Sequence, residues 1–394
     1  MRIALVGTRG VPARYGGFET CVEEVGRRLV ARGHTVVVYC RADPDERTRA
    51  TEHLGMELVH LPALRTRTLE TLSHTGLSVG HLLGHRVDAA FVFNAANAPW
   101  LPVLRAARIP VATHVDGLEW KRAKWGRTGR RYYRTAESLA VRWSDALIAD
   151  AQGISDYYDA EFGVPSELIS YGAPIIARRS QRLVELGLEP DQYHLVVARL
   201  EPENHVDVVV RGYRDSRATL PLVVVGSAPY ADAYISRVRS LADDRVRFLG
   251  AVWDQEVLDH LYANARTYLH GHSVGGTNPS LLRAIGAGTA TVAFDVSFNR
   301  EVLGEHGWYF SGAQDVARLV EQAEADGAGC RARGDALRER ALDYDWDSVS
   351  DGYEALAKKL VAREVRRPRG ARRGPRPASV ERPRSIEDRD GAGR

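Results

Sequence analysis

His270-Gly271-His272-Ser273-Val274-Gly275-Gly276-Thr277-Asn278-Pro279-Ser280-Leu281-Leu282-Arg283-Ala284-Ile285-Gly286-Ala287-Gly288 is the stretch that decides the fold. It follows the apolar run Thr267-Tyr268-Leu269 and precedes Thr291-Val292-Ala293-Phe294, both of which read as buried strands. A strand, a glycine turn and a helix make the shape of a phosphate site. Pro279 has no amide hydrogen to lose and a preset backbone angle, so it fits the first helical turn, with Asn278 placed as the cap. The free amides of Gly275 to Ser280, Pro279 excepted, then gather where the helix dipole favours an anion, and Gly275 and Gly276 let that anion reach the backbone. The same residues also suit an ordinary Asx-capped helix after a loop, so the rest of the chain has to separate the two readings.

The 394 residues exceed one ordinary core and suit two domains plus a tail. An apolar share of 44% lets both domains pack well. The net charge is +3, and Arg, Pro and Gly crowd residues 363–394, a composition that reads as a disordered tail or, with the basic stretch 121–134, as a segment drawn to anionic headgroups. Without that tail the body is near neutral or acidic, which argues against nucleic acid as a partner. Cys21, Cys40 and Cys330 are odd in number and widely spaced, so neither a disulfide framework nor a CxxC zinc site is expected. The apolar start at residues 3–6 runs straight into Gly7 and is too short for a signal-peptide core. No window approaches the roughly eighteen apolar residues that a spanning helix needs. The expectation is a soluble cytoplasmic protein, with membrane contact confined to its surface.

Strand 3–6 leads into Gly7-Thr8-Arg9-Gly10-Val11-Pro12-Ala13-Arg14-Tyr15-Gly16-Gly17-Phe18-Glu19-Thr20. A helix starting near Gly17 shows Phe18, Val22, Val25 and Leu29 at helical spacing and ends at Gly33, before a strand over 35–40. That is a βαβ unit of the doubly wound kind, which also opens nicotinamide enzymes. Gly7, Gly10, Gly16 and Gly17 do not spell GxGxxG, and Cys40-Arg41 stands where a ribose-binding acid is expected, so the oxidoreductase reading is the lesser one. Further strands are expected at 89–93, 111–114, 146–149 and 168–171, and after Tyr171-Gly172-Ala173-Pro174 at 194–200, 222–226, 245–249, 267–269 and 291–294. Two open α/β sheets place a ligand in the cleft at their carboxyl ends.

Within the loop 115–126, Trp120 and Trp125 with nearby carboxylates resemble a carbohydrate platform, since flat sugar faces stack on aromatic rings. Inward packing of both indoles, with Lys121, Arg122 and Lys124 solvated, fits equally. Arg199 ends a strand facing the cleft, where its planar fork suits a diphosphate; an ion pair with Glu201 or Glu203 is the alternative.

Residues 7–20, 114–125, 199–205 and 270–288 together make the chain resemble the retaining glycosyltransferases of the GT-B fold, family 4. It is most similar to their bacterial rhamnosyltransferase branch, which carries GGFET, DGLEWKR(A)KW, RLEPEN and HSVGGTNPSLLEA segments. The likeness runs to about Ala362, and Asp345-Trp346-Asp347 with Val349, Tyr353, Leu356 and Leu360 resembles the family's returning helix. It implies domains at 1–172 (acceptor side) and 173–344 (nucleotide sugar), a helix at 345–362 that crosses back, and a tail at 363–394. Arg199 then matches the arginine that neutralises the departing diphosphate. Ser273, Gly275, Gly276, Thr277, Asn278 and Arg283 fall on the donor side, and Gly16 and Gly17 approach the phosphates from the other domain. His114, Asp116 and Glu119 are candidates for contacts to sugar hydroxyls or for positioning the acceptor. Trp120, Lys121 and Trp125 are candidates for holding it. The implied reaction proceeds with retention, without a dedicated nucleophile, metal or cofactor. The implied donor is dTDP-L-rhamnose, and the implied acceptor a glycan on a polyprenyl diphosphate at the cytoplasmic membrane face. Two departures stand out: Gly275 and Arg283 occupy the places of a pair of glutamates in the wider family, the first change shared by the branch and the second at the glutamate that accepts from ribose, and Asn204 replaces a common lysine. Arg283 leaves three readings open: a differently held nucleoside, an ion pair with another acid, or a weakened enzyme. Asp343-Tyr344-Asp345 reads as a helix cap.

Overall fold

The computed structural model describes residues 1–365, apart from 14, 15, 43–48, 65, 67, 68, 116, 123, 124, 229 and 230. The first domain runs β1 (Arg2–Val6), α1 (Gly17–Ala31), β2 (Thr35–Arg41), β3 (Glu52–His53), β4 (Met56–Leu61), α2 (Glu70–Gly84), β5 (Ala89–Phe93), α3 (Leu101–Ala106), β6 (Val111–His114), α4 (Arg127–Trp143), β7 (Ala146–Ala149), α5 (Gln152–Phe162) and β8 (Glu167–Leu168). The second runs β9 (His194–Val197), α6 (Val206–Arg214), β10 (Leu222–Val225), α7 (Asp232–Leu241), β11 (Val246–Gly250), α8 (Gln255–Asn264), β12 (Thr267–His270), α9 (Pro279–Gly286), β13 (Thr291–Phe294), α10 (Ser297–Leu303), β14 (Trp308–Phe310), α11 (Ala313–Ala325) and α12 (Gly327–Ala341). α13 (Trp346–Val361) closes the described chain.

Among the described residues the sheets have the orders β3-β4-β2-β1-β5-β6-β7-β8 and β11-β10-β9-β12-β13-β14. Every pairing is parallel except the β3–β4 hairpin. Strands covered on both faces read as unbroken apolar runs, as in Leu222–Val225, all buried. The strand order switches sides between β1 and β5 in the first sheet and between β9 and β12 in the second. Ligands of such sheets lie outside the carboxyl ends of the strands at this switch point. The loops after β1, β5, β9 and β12 flank these switch points, and the loop after β6, the next strand along, lies beside the first of them.

Three expectations need correction. β4 and the three-residue β14 are sheet members that the sequence reading lacks. β8 is Glu167–Leu168, not 168–171: Ser170 and Tyr171 leave the sheet, one beside Thr277 and the other against His114. β9 stops at Val197, so Arg199 lies beyond the strand and Leu200 packs into the second domain's apolar core.

α13 returns to the first domain, where the Tyr353 ring meets Phe91 at 5.0 Å and its hydroxyl lies 3.6 Å from the Cys21 thiol. Asp345 caps that helix, its Oδ2 accepting the Ser348 amide at 2.9 Å, as the sequence suggested. The three cysteines are free and buried. Among the described residues, no helix is long and apolar enough to cross a membrane.

Candidate active site

The glycine-rich loop after β12 meets the first domain backbone to backbone. A Cβ on Gly117 would lie 2.2 Å from the Gly275 Cα, and one on Gly276 would lie 1.9 Å from Asp150 Oδ1. A Cβ on Gly17 would come to 3.0 Å of the Pro279 ring. Thr277 adds a hydrogen bond, its hydroxyl donating to the Asp150 carbonyl at 2.7 Å. Asn278 caps α9 through its Oδ1, which accepts the Ser280 amide at 2.9 Å. Gly16 stands at φ 107 before α1, beside the Glu19 carboxyl, which burial pushes up while the Arg9 amide pulls it down. The structure thus brings Gly16, Gly17, Gly275, Gly276, Thr277 and Asn278 to one seam between the domains.

Arg199 lies just past β9, its side chain one-third exposed, with Nη1 3.5 Å from Glu201 Oε2. Asn204 donates from Nδ2 to the Arg199 carbonyl at 2.7 Å and meets His272 Nδ1 through Oδ1 at 2.8 Å, so the residue in the lysine's place braces the loop. Ser273 faces the same segment, donating from its amide and hydroxyl to the Glu203 carbonyl, both at 3.0 Å. Burial, with His270 and two arginines nearby, keeps His272 neutral, far below the usual imidazole range.

His114 ends β6 fully buried between the rings of Phe93 and Tyr171, with Phe18 edge-on at 5.1 Å. Neither ring nitrogen has a hydrogen-bond partner among the described residues, and burial pushes its pKa down to about 3. Asp116 lies outside the described residues, as does Lys124. Glu119 is buried; its Oε1 accepts from Trp125 Nε1 at 3.2 Å and its Oε2 pairs with Arg122 Nε. Both indoles have protein neighbours: Arg134 and Lys121 lie over Trp120 at 5.2 and 5.6 Å, and Trp125 meets Tyr133 at 5.0 Å. Lys121 is exposed. Arg122 is not solvated but 7% exposed, with Nη1 3.4 Å from Glu203 Oε1 across the domain boundary.

Arg283 is held within its own domain, donating from Nε to Asp259 Oδ1 at 2.8 Å and from Nη1 to Gln255 Oε1 at 2.6 Å. This is the ion-pair arrangement among the three readings left open. Asp150 and the buried Arg122 are the residues that sequence reasoning missed. Asp150 directly follows a strand, in the pattern that flagged Arg199, and that signal could have found it.

Residues 16–172 match the model of the glycosyl transferase 4-like domain, and residues 191–325 match that of the glycosyl transferases group 1. The chain belongs to the glycosyltransferases of the GT-B fold. A curated relative, the O-antigen chain mannosyltransferase B of Escherichia coli, is 27% identical over 121 residues, covering 29% of this chain and 32% of its own length. The sucrose-phosphate synthase of Thermosynechococcus elongatus superposes with a TM-score of 0.78 at 19% identity, over 92% of this chain and 99% of that one. Anabaena HepE, solved with UDP-glucose, gives 0.75 at 17% identity, over 91% and 100%.

Proposed function

We propose that the protein transfers a sugar, with retention, from a nucleotide diphosphate donor to a glycan acceptor. The observation that carries this reading is the seam itself. The capped start of α9, reached through Gly275 and Gly276, faces the glycine turn at Gly17 across the domain boundary, and Arg199 lies just past β9 at the switch point of the second sheet. A departing diphosphate gains negative charge, and fixed donors in a closed cleft stabilise that charge without reorganising. The UDP-glucose bound to HepE supports a nucleotide sugar as donor. The donor is dTDP-L-rhamnose by the likeness of residues 199–204 and 272–284 to the rhamnosyltransferase branch. No metal or other cofactor is assigned. His114, neutral and with neither ring nitrogen partnered among the described residues, offers a hydrogen bond to a donor-sugar hydroxyl. Retention then needs no protein nucleophile, because the leaving phosphate takes the acceptor proton on the face it departs from.

The acceptor in this reading is a glycan on a polyprenyl diphosphate, in surface polysaccharide assembly. The O-antigen relative supports it, as does the basic face of α4, where Arg130, Arg131, Arg134, Thr135 and Ser138 line one groove suited to anionic headgroups at the inner membrane face. The second reading, a sugar-nucleotide binder without turnover, rests on Arg283, which leaves a ribose without its glutamate acceptor.

Titration calorimetry with dTDP, UDP, GDP and NADH, on the wild type and on Arg199→Ala, tests the proposal. Binding of dTDP that Arg199→Ala abolishes is expected, followed by rhamnosyl transfer to a lipid-linked glycan. Binding of NADH alone would overturn the transferase reading, and nucleotide binding without transfer would favour the inactive binder.

A further inference from the structure

We propose that Arg122 is a positioning residue that links the loop before α4 to Arg199, so that donor and acceptor sites are energetically coupled. The inference rests on the transferase reading above.

The contacts form a continuous chain across the domain boundary. Trp125 Nε1 donates to Glu119 Oε1 at 3.2 Å, and Glu119 Oε2 pairs with Arg122 Nε. Arg122 Nη1 then stands 3.4 Å from Glu203 Oε1 and 3.9 Å from Glu201 Oε2, while Glu201 Oε2 stands 3.5 Å from Arg199 Nη1. The side chains of Arg122 and Glu203 are 8% and 2% exposed, so solvent screens this cluster poorly and each charge acts on the others.

Glu201 is the hinge of the chain. Its Oε2 is buried, lies between two guanidiniums, and makes no hydrogen bond to either. A carboxylate shared in this way is committed to neither arginine. A diphosphate that engages Arg199 draws that guanidinium off Glu201, and Glu201 then falls to Arg122. Arg122 is tied through Glu119 to Trp125, so occupancy of the donor site tightens the loop that carries the acceptor platform. Linkage is reciprocal, and an acceptor on that loop strengthens donor binding by the same factor. Removing Arg122 takes one positive charge from among three carboxylates, whatever else neighbours them, and leaves Glu201 to neutralise Arg199.

The competing account is that Arg122 merely bolts the domains together. Two variants and their combination separate the two. Arg122→Met keeps the length and removes the charge; Glu201→Gln keeps the shape and removes the shared anion. Calorimetry with the nucleoside diphosphate that the wild type binds gives the donor side, and KM against kcat for the acceptor gives the other. Arg122→Met is expected to weaken the nucleotide at least about tenfold, roughly the 1.4 kcal/mol that corresponds to that factor. The double variant is expected to regain most of that loss, because the anion that turned on Arg199 is gone. Glu201→Gln alone should bind nucleotide as tightly as the wild type or more so, yet raise the acceptor KM severalfold with kcat little changed. A bolt predicts the opposite pattern: no rescue in the double variant. A folded Arg122→Met that binds nucleotide like the wild type overturns the inference. Should Arg122→Met fail to fold, an unchanged acceptor KM in Glu201→Gln overturns it instead. A wild type that binds no nucleotide overturns the transferase reading itself, a separate and recognisable result.

Discussion

At the scale of single residues, the glycines on the seam differ in what they tolerate, and the neighbours decide. A methyl on Gly117 meets the Gly275 backbone at 2.2 Å, and one on Gly276 meets the Asp150 carboxylate at 1.9 Å, where Asp150 is 2% exposed and has no room to turn. A methyl on Gly17 meets the flexible edge of the Pro279 ring at 3.0 Å and asks for a shift of a few tenths of an ångström. Overpacking costs roughly 1–3 kcal/mol, and if the seam must close in the transition state that becomes about a ten- to hundredfold loss of rate. Gly117→Ala and Gly276→Ala should therefore lose at least about tenfold in nucleotide release under steady-state assay, and Gly17→Ala about threefold or less. Equal losses in all three would refute this ordering. Much of this seam was legible, because a cap, a proline at the helix start and paired glycines are local signals carried by Asn278, Pro279, Gly275 and Gly276. Arg122 was not legible. Its carboxylates Glu201 and Glu203 lie about eighty positions away in the sequence, and a Lys-Arg pair in a polar loop reads as solvated until the second domain covers it.

At the scale of elements, α13 joins the end of the described chain to its beginning by two kinds of contact. Arg28 and Arg32 of the α1 region reach Asp347 and Asp351 at 2.7 Å each, but those acids are 71% and 70% exposed. Exposed pairs contribute about 0–1 kcal/mol. Tyr353 is fully buried on Phe91 and Phe93 in the core shared with α1, and truncating a buried aromatic costs about 3–5 kcal/mol. Packing should win: Tyr353→Ala is expected to lower stability in urea by that amount, and Asp347→Ala by less than about 1 kcal/mol. A larger effect for the aspartate would reverse the assignment. The same physics explains which elements could be read in advance. Central strands such as β5 and β10 are continuous apolar runs with both faces covered. β4 alternates Met56-Glu57-Leu58 before a loop of weak pattern, and β14 is three residues long, so neither carries enough periodicity to stand out.

At the scale of the whole molecule, buried histidines dictate how the fold meets acid. Burial lowers His74 to about 4 and His114 and His270 to about 3, and holds His272 far below its usual value. In the unfolded chain each titrates near 6.5. Above that pH both states are neutral at these sites, and the contribution of each to stability is full. Below it the unfolded chain binds protons that the folded one refuses, so stability falls as pH drops toward the folded values, by up to about 1.4 kcal/mol per pH unit for each ring. The lowered carboxyls of Glu324 and Glu354, both near 2, lose their contribution in a later window, between about 4.5 and 2. The first acid loss therefore belongs to histidine. Urea midpoints measured at pH 7.5, 6.5, 5.5 and 4.5 should be level over the first step and then decline. His114→Phe, which places a ring of similar size between Phe93 and Tyr171, should reduce the later slope by about one proton. A midpoint that stays level down to pH 4.5, or a slope that His114→Phe leaves untouched, would mean that these rings are reached by water and protonate in place. The neutral His114 on which the proposed donor-sugar contact depends would then be lost as well.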